Sequence, residues 1–392
     1  MKSVSVSVSI VCALASVAAT SGCGDNFQAV QPTSDAPSSS PVAVAVAPSA
    51  DYMAPGILSK LDVAQLTTQT NLAAGLVAGD PVLRRIGDTL YVINRNINSV
   101  TMLDGHSLGY LDQMATGANS NPQDVAVVGD QLFIPALGTT GVVVGTRGSN
   151  TPTTIDLSDA LHCKSTCGPG DGAECRAPCA PSCTSAYAIG NDVYVACGLL
   201  NNFKPTGNGK IAVIDSASQT VRTVIELPVP NPYNQFIRTP LTSVFGGDLL
   251  IPTLDYNEIT FETNGTVVRV GSGAAPTASV AIPSTDLQGA VSHIEVLEGP
   301  SPLLVMAVTL KFGEGRLRAF DLETKLLWKG ALSPAAQDIT DLAACPDGSM
   351  VVADRSGNGG LRVYSDGAEV TSAALSIGLK PGTGNQLACY RP

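Results

Sequence analysis

The sequence predicts an all-β protein built as a β-propeller with four-stranded antiparallel blades. The first observation is a recurring pair of apolar runs joined by a Gly-Asp or Gly-Asn-like turn, which is the pattern of a β-hairpin. The second is a third apolar run after each pair and, in several copies, a weaker fourth. The third is the spacing, because the turn glycines recur about every forty to sixty residues. Four short strands at that period suit blades that bury their faces against their neighbours in a ring.

Six copies of the hairpin can be recognised. The clearest are "NPQDVAVVGDQLFIPAL" at 121–137, "CTSAYAIGNDVYVACGL" at 183–199 and "RTPLTSVFGGDLLIPTL" at 238–254. Looser copies lie at 79–95, 291–308 and 338–355. The third strands that follow them read "SVTMLD", "GVVVG", "KIAVID", "TVVRV", "RLRAFD" and "LRVYSD". A β-sandwich is the alternative, but it does not require the same hairpin six times.

The two ends of this repeat region supply a further blade. "GILSKLD" near residue 60 resembles an outer strand, and "GNQLACYRP" at the C-terminal end resembles an innermost strand. A blade shared between them gives seven blades, which we favour; six blades with an exchanged terminal strand is the main alternative. Cys345 and Cys389 lie in inner-strand sequence near this closure, and we predict that they are bonded. Closing a loop of about 45 residues with this disulfide stabilises the folded state by roughly 4 kcal/mol in the chain-entropy model.

The N-terminal residues indicate export. Lys2 is followed by an apolar, serine-laced run and then by small residues, which predicts a signal peptide over residues 1–22. A transmembrane anchor is the alternative, although the run is barely long enough. "TSGC", followed by Gly24, resembles a bacterial lipobox. That resemblance implies a lipoprotein that is acylated at Cys23 and anchored to the outer membrane or cell surface.

Residues 23–55 are rich in Pro, Ser, Ala and Val and are predicted to form an extended tether ahead of a propeller over 56–392. Within this segment "VAVAVA" at 42–47 could form a short strand. Because Pro41 and Pro48 bracket it, we interpret it as part of the spacer.

Five cysteines lie within "CKSTCGPGDGAECRAPCAPSC" at 163–183, in an insert over 162–183 between the second and third of the six hairpins in chain order. Of the ten cysteines, Cys12 leaves with the signal peptide and Cys23 carries the lipid, so eight remain. An even number in an exported chain predicts disulfides. Those eight are Cys163, Cys167, Cys175, Cys179, Cys183, Cys197, Cys345 and Cys389. The pairing of the first six is left open, and zinc with His162 as an extra ligand stays an alternative.

"YVIN" at Tyr91–Asn94, followed by "SVTMLD", resembles the YVTN class of propeller repeat. Propellers of this class include lactonase relatives and surface proteins, so the resemblance implies a fold more than an activity. "AFDLETKLLWKG" at 319–330 resembles the tryptophan-docking repeat of quinoprotein dehydrogenases. Trp328 is the only tryptophan, however, and a quinoprotein needs many such blades. No cofactor is therefore predicted.

Function on a propeller usually lies at the central channel, where residues that lead into each innermost strand face a common axis. The repeat spacing places six residues there, namely Leu83, Asp124, Ser185, Thr242, His293 and Asp341. Asp124, His293 and Asp341 lie on different blades; the two aspartates could hold His293 as a base, or could bind a cation or an amine. The alternative is that they cap backbone amides. Arg95 and Arg355 occupy similar positions after the second strand, and Arg95 is included as a candidate ligand for a carboxylate.

The net charge and the absence of certain motifs argue against several classes of function. A net charge of −11 without a basic run argues against nucleic acid and against electrostatic docking to anionic lipid. Only three histidines are present, without HxH or HExxH spacing, and no G-x-S-x-G or P-loop occurs. Two functions remain: a monomeric, non-enzymatic binding module for a protein or glycan, and an exported lactonase-like hydrolase with its site at the channel mouth. We favour the first because no motif demands catalysis.

Overall fold

The computed structural model describes residues 40–392 apart from 150, 257–262, 274, 300, 312, 327–331 and 334–336. The described chain forms a seven-bladed β-propeller of antiparallel sheets, as the repeats predict, and the six-bladed alternative is wrong. Helical structure in this part of the chain is limited to the short turns Ser158–Leu161, Ser284–Leu287 and Arg95–Ile97.

The strands of each blade are given from the innermost outwards. Blade 1 contains Leu387–Tyr390, Val42–Ala47, Ile57–Asp62 and Thr67–Leu72. Blade 2 contains Pro81–Ile86, Thr89–Asn94, Ser99–Asp104 and Tyr110–Ala115. Blade 3 contains Ala126–Val128, Gln131–Pro135, Gly141–Thr146 and Thr153–Asp156. Blade 4 contains Cys183–Ile189, Asp192–Cys197, Lys210–Asp215 and Thr220–Glu226, with a side hairpin of Leu200–Asn201 and Lys204–Pro205.

Blade 5 contains Ile237–Arg238, Leu249–Pro252, Val267–Val270 and Ala278–Ile282, with a side hairpin of Asp255–Tyr256 and Thr263–Asn264. The described strands of blade 6 are Ala290–Leu297, Leu303–Lys311 and Glu314–Asp321. Blade 7 contains Ile339–Ala344, Met350–Asp354, Gly360–Ser365 and Ala368–Glu369. We call the face where the innermost strands begin the upper face, and the face where they end the lower face.

The ring closes in blade 1, where the two ends of the described chain share one sheet. Leu387–Tyr390 pairs antiparallel with Val42–Ala45, which confirms the predicted shared blade. A disulfide joins Cys389 of this closing strand to Cys345, which directly follows the innermost strand of blade 7. The predicted bond between these cysteines is therefore present, and it ties the closing strand to the neighbouring blade.

The interpretation of "VAVAVA" as a spacer is wrong, because Val42–Ala47 is a fully buried strand. Its alternation explains why: the alanines pack on blade 7, whereas the valines pack on blade 2. Small and β-branched side chains on opposite faces suit a strand clamped between two blades. The prolines on either side mark only the ends of the strand, so the ordered propeller starts ahead of the predicted boundary at residue 56.

Three of the hairpins turn at a glycine of nearly the same conformation. Gly87, Gly129 and Gly190 have φ values of +58°, +58° and +57°. Tight hairpin turns need a positive φ, which glycine adopts without steric cost. These glycines therefore confirm the turn markers of blades 2, 3 and 4.

The cysteine-rich insert connects the outer strand of blade 3 to the innermost strand of blade 4. Its disulfides are Cys163–Cys179 and Cys167–Cys175, while Cys183–Cys197 joins two strands of blade 4. All eight predicted cysteines are thus paired, and the open pairing is resolved. Cys167, Asp171 and Cys175 lie close together, but a disulfide leaves no thiolate for zinc, so the zinc alternative is wrong.

The insert is fixed to the propeller core. Cys163 and Cys179 are buried in the apolar cluster between blades 3 and 4. The ammonium group of Lys210 donates to the carbonyl oxygen of Leu161 at 2.9 Å. The insert is therefore a disulfide-tied, anchored loop at the upper face, where blade 4 begins.

Three predictions fall outside the described residues. These are the signal peptide at 1–22, the acylation of Cys23 and the role of Trp328. In the described part of the chain, no helix has the length and apolar character needed to cross a membrane.

Candidate functional site in the central channel

Asp124 leads into the innermost strand of blade 3 and is completely buried. Its Oδ2 accepts hydrogen bonds from the backbone N–H of Ala186 at 3.1 Å and from the hydroxyl of Ser185 at 3.2 Å, both in blade 4. Its Oδ1 lies 3.9 Å from Nε of Arg84 in blade 2. Burial raises the pKa of Asp124, and Arg84 and these hydrogen bonds oppose that rise. The carboxylate therefore joins three consecutive blades.

Asp341 has the equivalent position in blade 7 and is also completely buried. Its Oδ2 accepts the backbone N–H of Gln386 and, at 2.9 Å, that of Leu387, where the closing strand of blade 1 begins. Its Oδ1 lies 3.1 Å from Nδ1 of His293 in blade 6. This carboxylate also holds the innermost strand of the next blade.

His293 lies in the innermost strand of blade 6 and is only 3% exposed. Its Nδ1 is 3.0 Å from Oδ1 of Asn385, and its Nε2 is 3.5 Å from Oε1 of Glu295. Burial by itself lowers the pKa of His293, but the charges of Asp341 and Glu295 and the Asn385 hydrogen bond outweigh it and raise the pKa to about 9. The imidazole is therefore charged at neutral pH and is poorly suited to act as a base.

Side chains from non-adjacent blades meet across the channel. Nη1 of Arg84 in blade 2 donates to Oε1 of Gln235, which leads into blade 5, at 2.7 Å. The amide of Gln235 donates back to the carbonyl oxygen of Leu83 at 3.1 Å. Nδ2 of Asn385 donates to Oδ1 of Asn234 at 3.3 Å. We call this set the polar belt; its members are Arg84, Asp124, Asn234, Gln235, His293, Asp341 and Asn385.

The polar belt separates two cavities of the channel. Towards the upper face, Arg95, Asn234 and Asn385 border a cavity of about 10 Å³, which is no larger than a single water molecule needs. Towards the lower face lies a cavity of about 270 Å³, lined by residues from the middle and ends of the innermost strands. We call it the lower cavity.

Arg95 and Arg355 are equivalent, as their sequence positions predict. Arg95 pairs with Asp80 at 2.5 Å, and Arg355 pairs with Asp338 at 3.0 Å. In each case the aspartate lies just before the innermost strand of the same blade and the arginine directly after the second strand. The pairs therefore brace the upper end of blades 2 and 7.

A larger cavity, of about 520 Å³, opens beside Arg355 between blades 7 and 1. We call it the seam cavity. Its lining combines the Asp338–Arg355 pair with the exposed Lys380 and with apolar groups. The apolar contributors are Pro48, Tyr52, Leu379 and Pro381.

The structure brings only part of the predicted constellation together. His293 and Asp341 are in contact, whereas the described contacts of Asp124 are with Arg84 and blade 4. Arg95 pairs with Asp80 above the belt. Ligand binding by Asp124, His293, Asp341 and Arg95 stays a prediction, and their contacts match the alternative that such groups hold backbone amides and neighbouring charges.

The position predicted for blade 5 is wrong. Its innermost strand is Ile237–Arg238, and Thr242 lies in the following loop because Pro240 has no N–H to continue the ladder. The channel position is filled instead by Gln235, which the spacing missed.

A repeated Asn-Pro dipeptide could have identified that position. Pro122 bridges to Ala136 ahead of blade 3's innermost strand, and Pro232 bridges to Thr253 ahead of blade 5's. The asparagines before them share a left-handed φ of +49°. The second residue after each of these prolines is a member of the polar belt, namely Asp124 in blade 3 and Asn234 ahead of blade 5.

Comparisons with known proteins agree with this architecture. No protein-family model matches the chain, and no curated protein matches it. Among solved structures, the periplasmic gluconolactonase of Pseudomonas aeruginosa aligns with a TM-score of 0.59 at 15% identity, covering 89% of this chain and 99% of that one. A putative 6-phosphogluconolactonase from Bacteroides uniformis aligns at 0.53 and 13% identity, covering 86% and 98%.

The β-propeller domain of Cps50 (Swd1) from Myceliophteria thermophila aligns with a TM-score of 0.55 at 10% identity, covering 80% of this chain and 91% of that one. Similarity at such low identity shows the fold alone. The chain is therefore a seven-bladed β-propeller protein, in a fold whose similar structures include both lactonases and a propeller domain not named as an enzyme.

Proposed function

We propose that this protein is an exported, non-enzymatic binding module whose binding surface is the seam cavity. One observation carries the proposal. The buried ionisable groups of the channel are occupied in holding neighbouring blades, and the cavity above them is about 10 Å³. The seam cavity, at about 520 Å³, lies within the range of roughly 300–1,000 Å³ that is usual for ligand sites.

The lining of the seam cavity suits a partner with mixed chemistry. Pro48, Leu379 and Pro381 offer apolar surface, while Lys380 offers an exposed positive charge at the rim. The ring of Tyr52 is half exposed and presents both an apolar face and a hydroxyl. A protein segment or glycan that carries an acidic group beside an apolar or ring surface fits this combination.

The proposed location is the cell envelope. Four disulfides are typical of proteins that fold in an oxidising compartment, and one similar structure is named as periplasmic. We propose that acylated Cys23 anchors a monomer to the outer membrane or cell surface, with the residues ahead of blade 1 as its tether.

Fractionation of cells that produce Cys23→Ser tests the anchor. The wild-type chain is expected in the membrane fraction and Cys23→Ser in the soluble fraction, because one residue carries the acyl chains. A Cys23→Ser chain that still sediments with membranes would contradict the anchor and leave the binding surface unaffected.

A screen of the purified protein against lactones and esters tests the absence of catalysis. We expect the wild type to show no more turnover than His293→Gln. His106→Gln is the matched control, because His106 is exposed and its described ion pair is with Asp88, which is not part of the belt. Turnover that His293→Gln abolishes and His106→Gln retains would instead favour the lactonase-like hydrolase.

Site-specific photo-crosslinking in cells tests the binding surface. A photoreactive residue at Lys380 is expected to give a discrete adduct, whereas one at the exposed Ser279, on the outer strand of blade 5, is expected to give none. Identical adduct patterns from both positions, or none from Lys380, would refute the seam cavity as the binding surface.

A further inference from the structure

The lower cavity gathers positive charge in a strongly acidic protein. Arg84, Arg85 and Arg238 line it, and Glu295 is the single carboxylate among its lining residues. The whole chain, by contrast, has a net charge of −11. The lower cavity is therefore locally positive in a protein whose net charge is negative.

Arg84 forms the boundary between the polar belt and this cavity. Its side chain is only 13% exposed, and its one hydrogen-bond acceptor in the described chain is Oε1 of Gln235. Asp124 approaches Nε from the buried side at 3.9 Å. The guanidinium lies 5.7 Å from the ring centroid of Tyr187, which limits how it can turn. A guanidinium carries five N–H donors, so most of those of Arg84 have no acceptor in the described chain.

Arg85 and Arg238 are oriented by neutral groups. Arg85 lies over the ring of Tyr390, 4.6 Å from its centroid, and its nearest described carboxylate is the exposed Asp88 at 3.8 Å. Nε of Arg238 donates to the carbonyl oxygen of Gly247 at 3.1 Å, and Arg238 has no carboxylate partner in the described chain. Both side chains are thus placed without their charges being closely neutralised.

Other arginines of the propeller form short ion pairs with aspartates, which neutralise their charge closely. Arg269 pairs with Asp248 at 2.6 Å, and Arg362 pairs with Asp354 at 2.7 Å. The arginines of the lower cavity lack such short pairs. The guanidinium groups thus keep donors without a partner in the described chain at the wall of a cavity of about 270 Å³.

We propose that the lower cavity binds a small oxyanion, namely the carboxylate or phosphate group of a compact molecule. Planar guanidinium forks match the oxygens of both groups, and the partial burial of Arg84 and Arg85 strengthens such hydrogen bonds. The cavity volume suits a compact molecule and excludes a polymer. Glu295, Gln235 and Tyr187 can hydrogen-bond hydroxyl groups on the rest of the ligand. This site is separated by the belt from the upper face, and it does not depend on the seam cavity.

Calorimetric titration of the purified full chain at low ionic strength tests the proposal, with inorganic phosphate and citrate as probes. We expect saturable binding of at least one probe at one site per chain. Arg238→Gln is expected to weaken it about tenfold, the usual effect of losing one charge-assisted hydrogen bond. Arg85→Gln/Arg238→Gln is expected to remove it.

Arg222→Gln is the matched control, because Arg222 is exposed, pairs with Asp192 in blade 4 and changes the net charge equally. It is expected to bind like the wild type. If Arg238→Gln does not fold, Arg238→Lys takes its place, since it keeps the charge but loses the fork, and the same weakening is expected. No saturable binding of either probe, or an equal loss in Arg222→Gln, would overturn the proposal.

Discussion

Asp124 and Asp341 perform the same structural task at two junctions of one ring. Each is completely buried, and each accepts backbone N–H groups from the innermost strand of the following blade. They differ in the group that neutralises them. Asp124 has Arg84, which lines the lower cavity, at 3.9 Å, whereas Asp341 has the buried His293 at 3.1 Å.

The strands held by the two aspartates explain the difference. Asp124 holds Cys183–Ile189, a seven-residue strand that continues directly into its own blade. Asp341 holds Leu387–Tyr390, a four-residue strand that must complete a blade made by the other end of the chain. A short strand without a following hairpin has few contacts to fix it, so the closure has a tighter ion pair and a disulfide. The ion pair of the polar belt is therefore shorter where chain connectivity is weakest.

Removal of the closure disulfide is expected to have the largest effect. Cys345→Ala/Cys389→Ala should lower the free energy of unfolding by about 4 kcal/mol, because the bond spans 44 residues and restricts the unfolded chain. Cys167→Ala/Cys175→Ala is the control; it opens a loop of 8 residues and should cost about 2.5 kcal/mol. Denaturant unfolding measures both. Equal losses would mean that the closure has no special dependence on its disulfide.

Replacing each of the two aspartates by asparagine should give the next largest loss of stability, and the two losses should differ. Asp341→Asn leaves the imidazolium of His293 buried without its closest counterion and should cost about 3 kcal/mol. Asp124→Asn should cost about half as much, roughly 1.5 kcal/mol, because Arg84 keeps Gln235 and borders the lower cavity. Urea unfolding of both variants provides the comparison. A larger loss for Asp124→Asn would reverse the proposed order of the two junctions.

The pH dependence of stability should also separate the two junctions, because only Asp341 is paired with a histidine. The pKa of His293 is raised to about 9 in the folded protein from 6.5. Its contribution is therefore complete below pH 6.5 and is lost as the pH rises through 9, a change on the order of 3 kcal/mol. Thermal unfolding at several pH values should show this decline in the wild type and in Asp124→Asn. The same decline in His293→Gln would show that another group causes it.

The architecture could be predicted because it depends on local and repeated signals. The turn glycines Gly87, Gly129 and Gly190 mark hairpins that each adopt one φ value. The even number of cysteines in the mature chain predicted that all eight are paired. The inner-strand sequence around Cys345 and Cys389 predicted that these two are bonded to each other. Val42–Ala47 was missed since its burial comes from two neighbouring blades, which a local reading of Pro41 and Pro48 does not include.

The candidate site was only partly predictable. Asp124 and Asp341 share a place in the repeat, so spacing found both, but spacing does not reveal which blade's amides they bind. Gln235 belongs to blade 5, whose innermost strand is shortened by Pro240. The repeat spacing therefore assigned the channel position to Thr242 instead. The lower cavity depends on contacts across the ring, such as Arg84 with Gln235, and no short stretch of sequence contains both partners.

The sharing of blade 1 between the two ends of the described chain sets an order of events during synthesis and folding. Until Leu387–Tyr390 emerges, Val42–Ala47 has an unpaired edge made wholly of alanine and valine. Such an edge is a template for pairing with a second copy of the chain. The strand that completes blade 1 therefore acts as a cap against self-association, and a nascent chain halted before residue 387 is an aggregation hazard, although nearly all of its blades are complete.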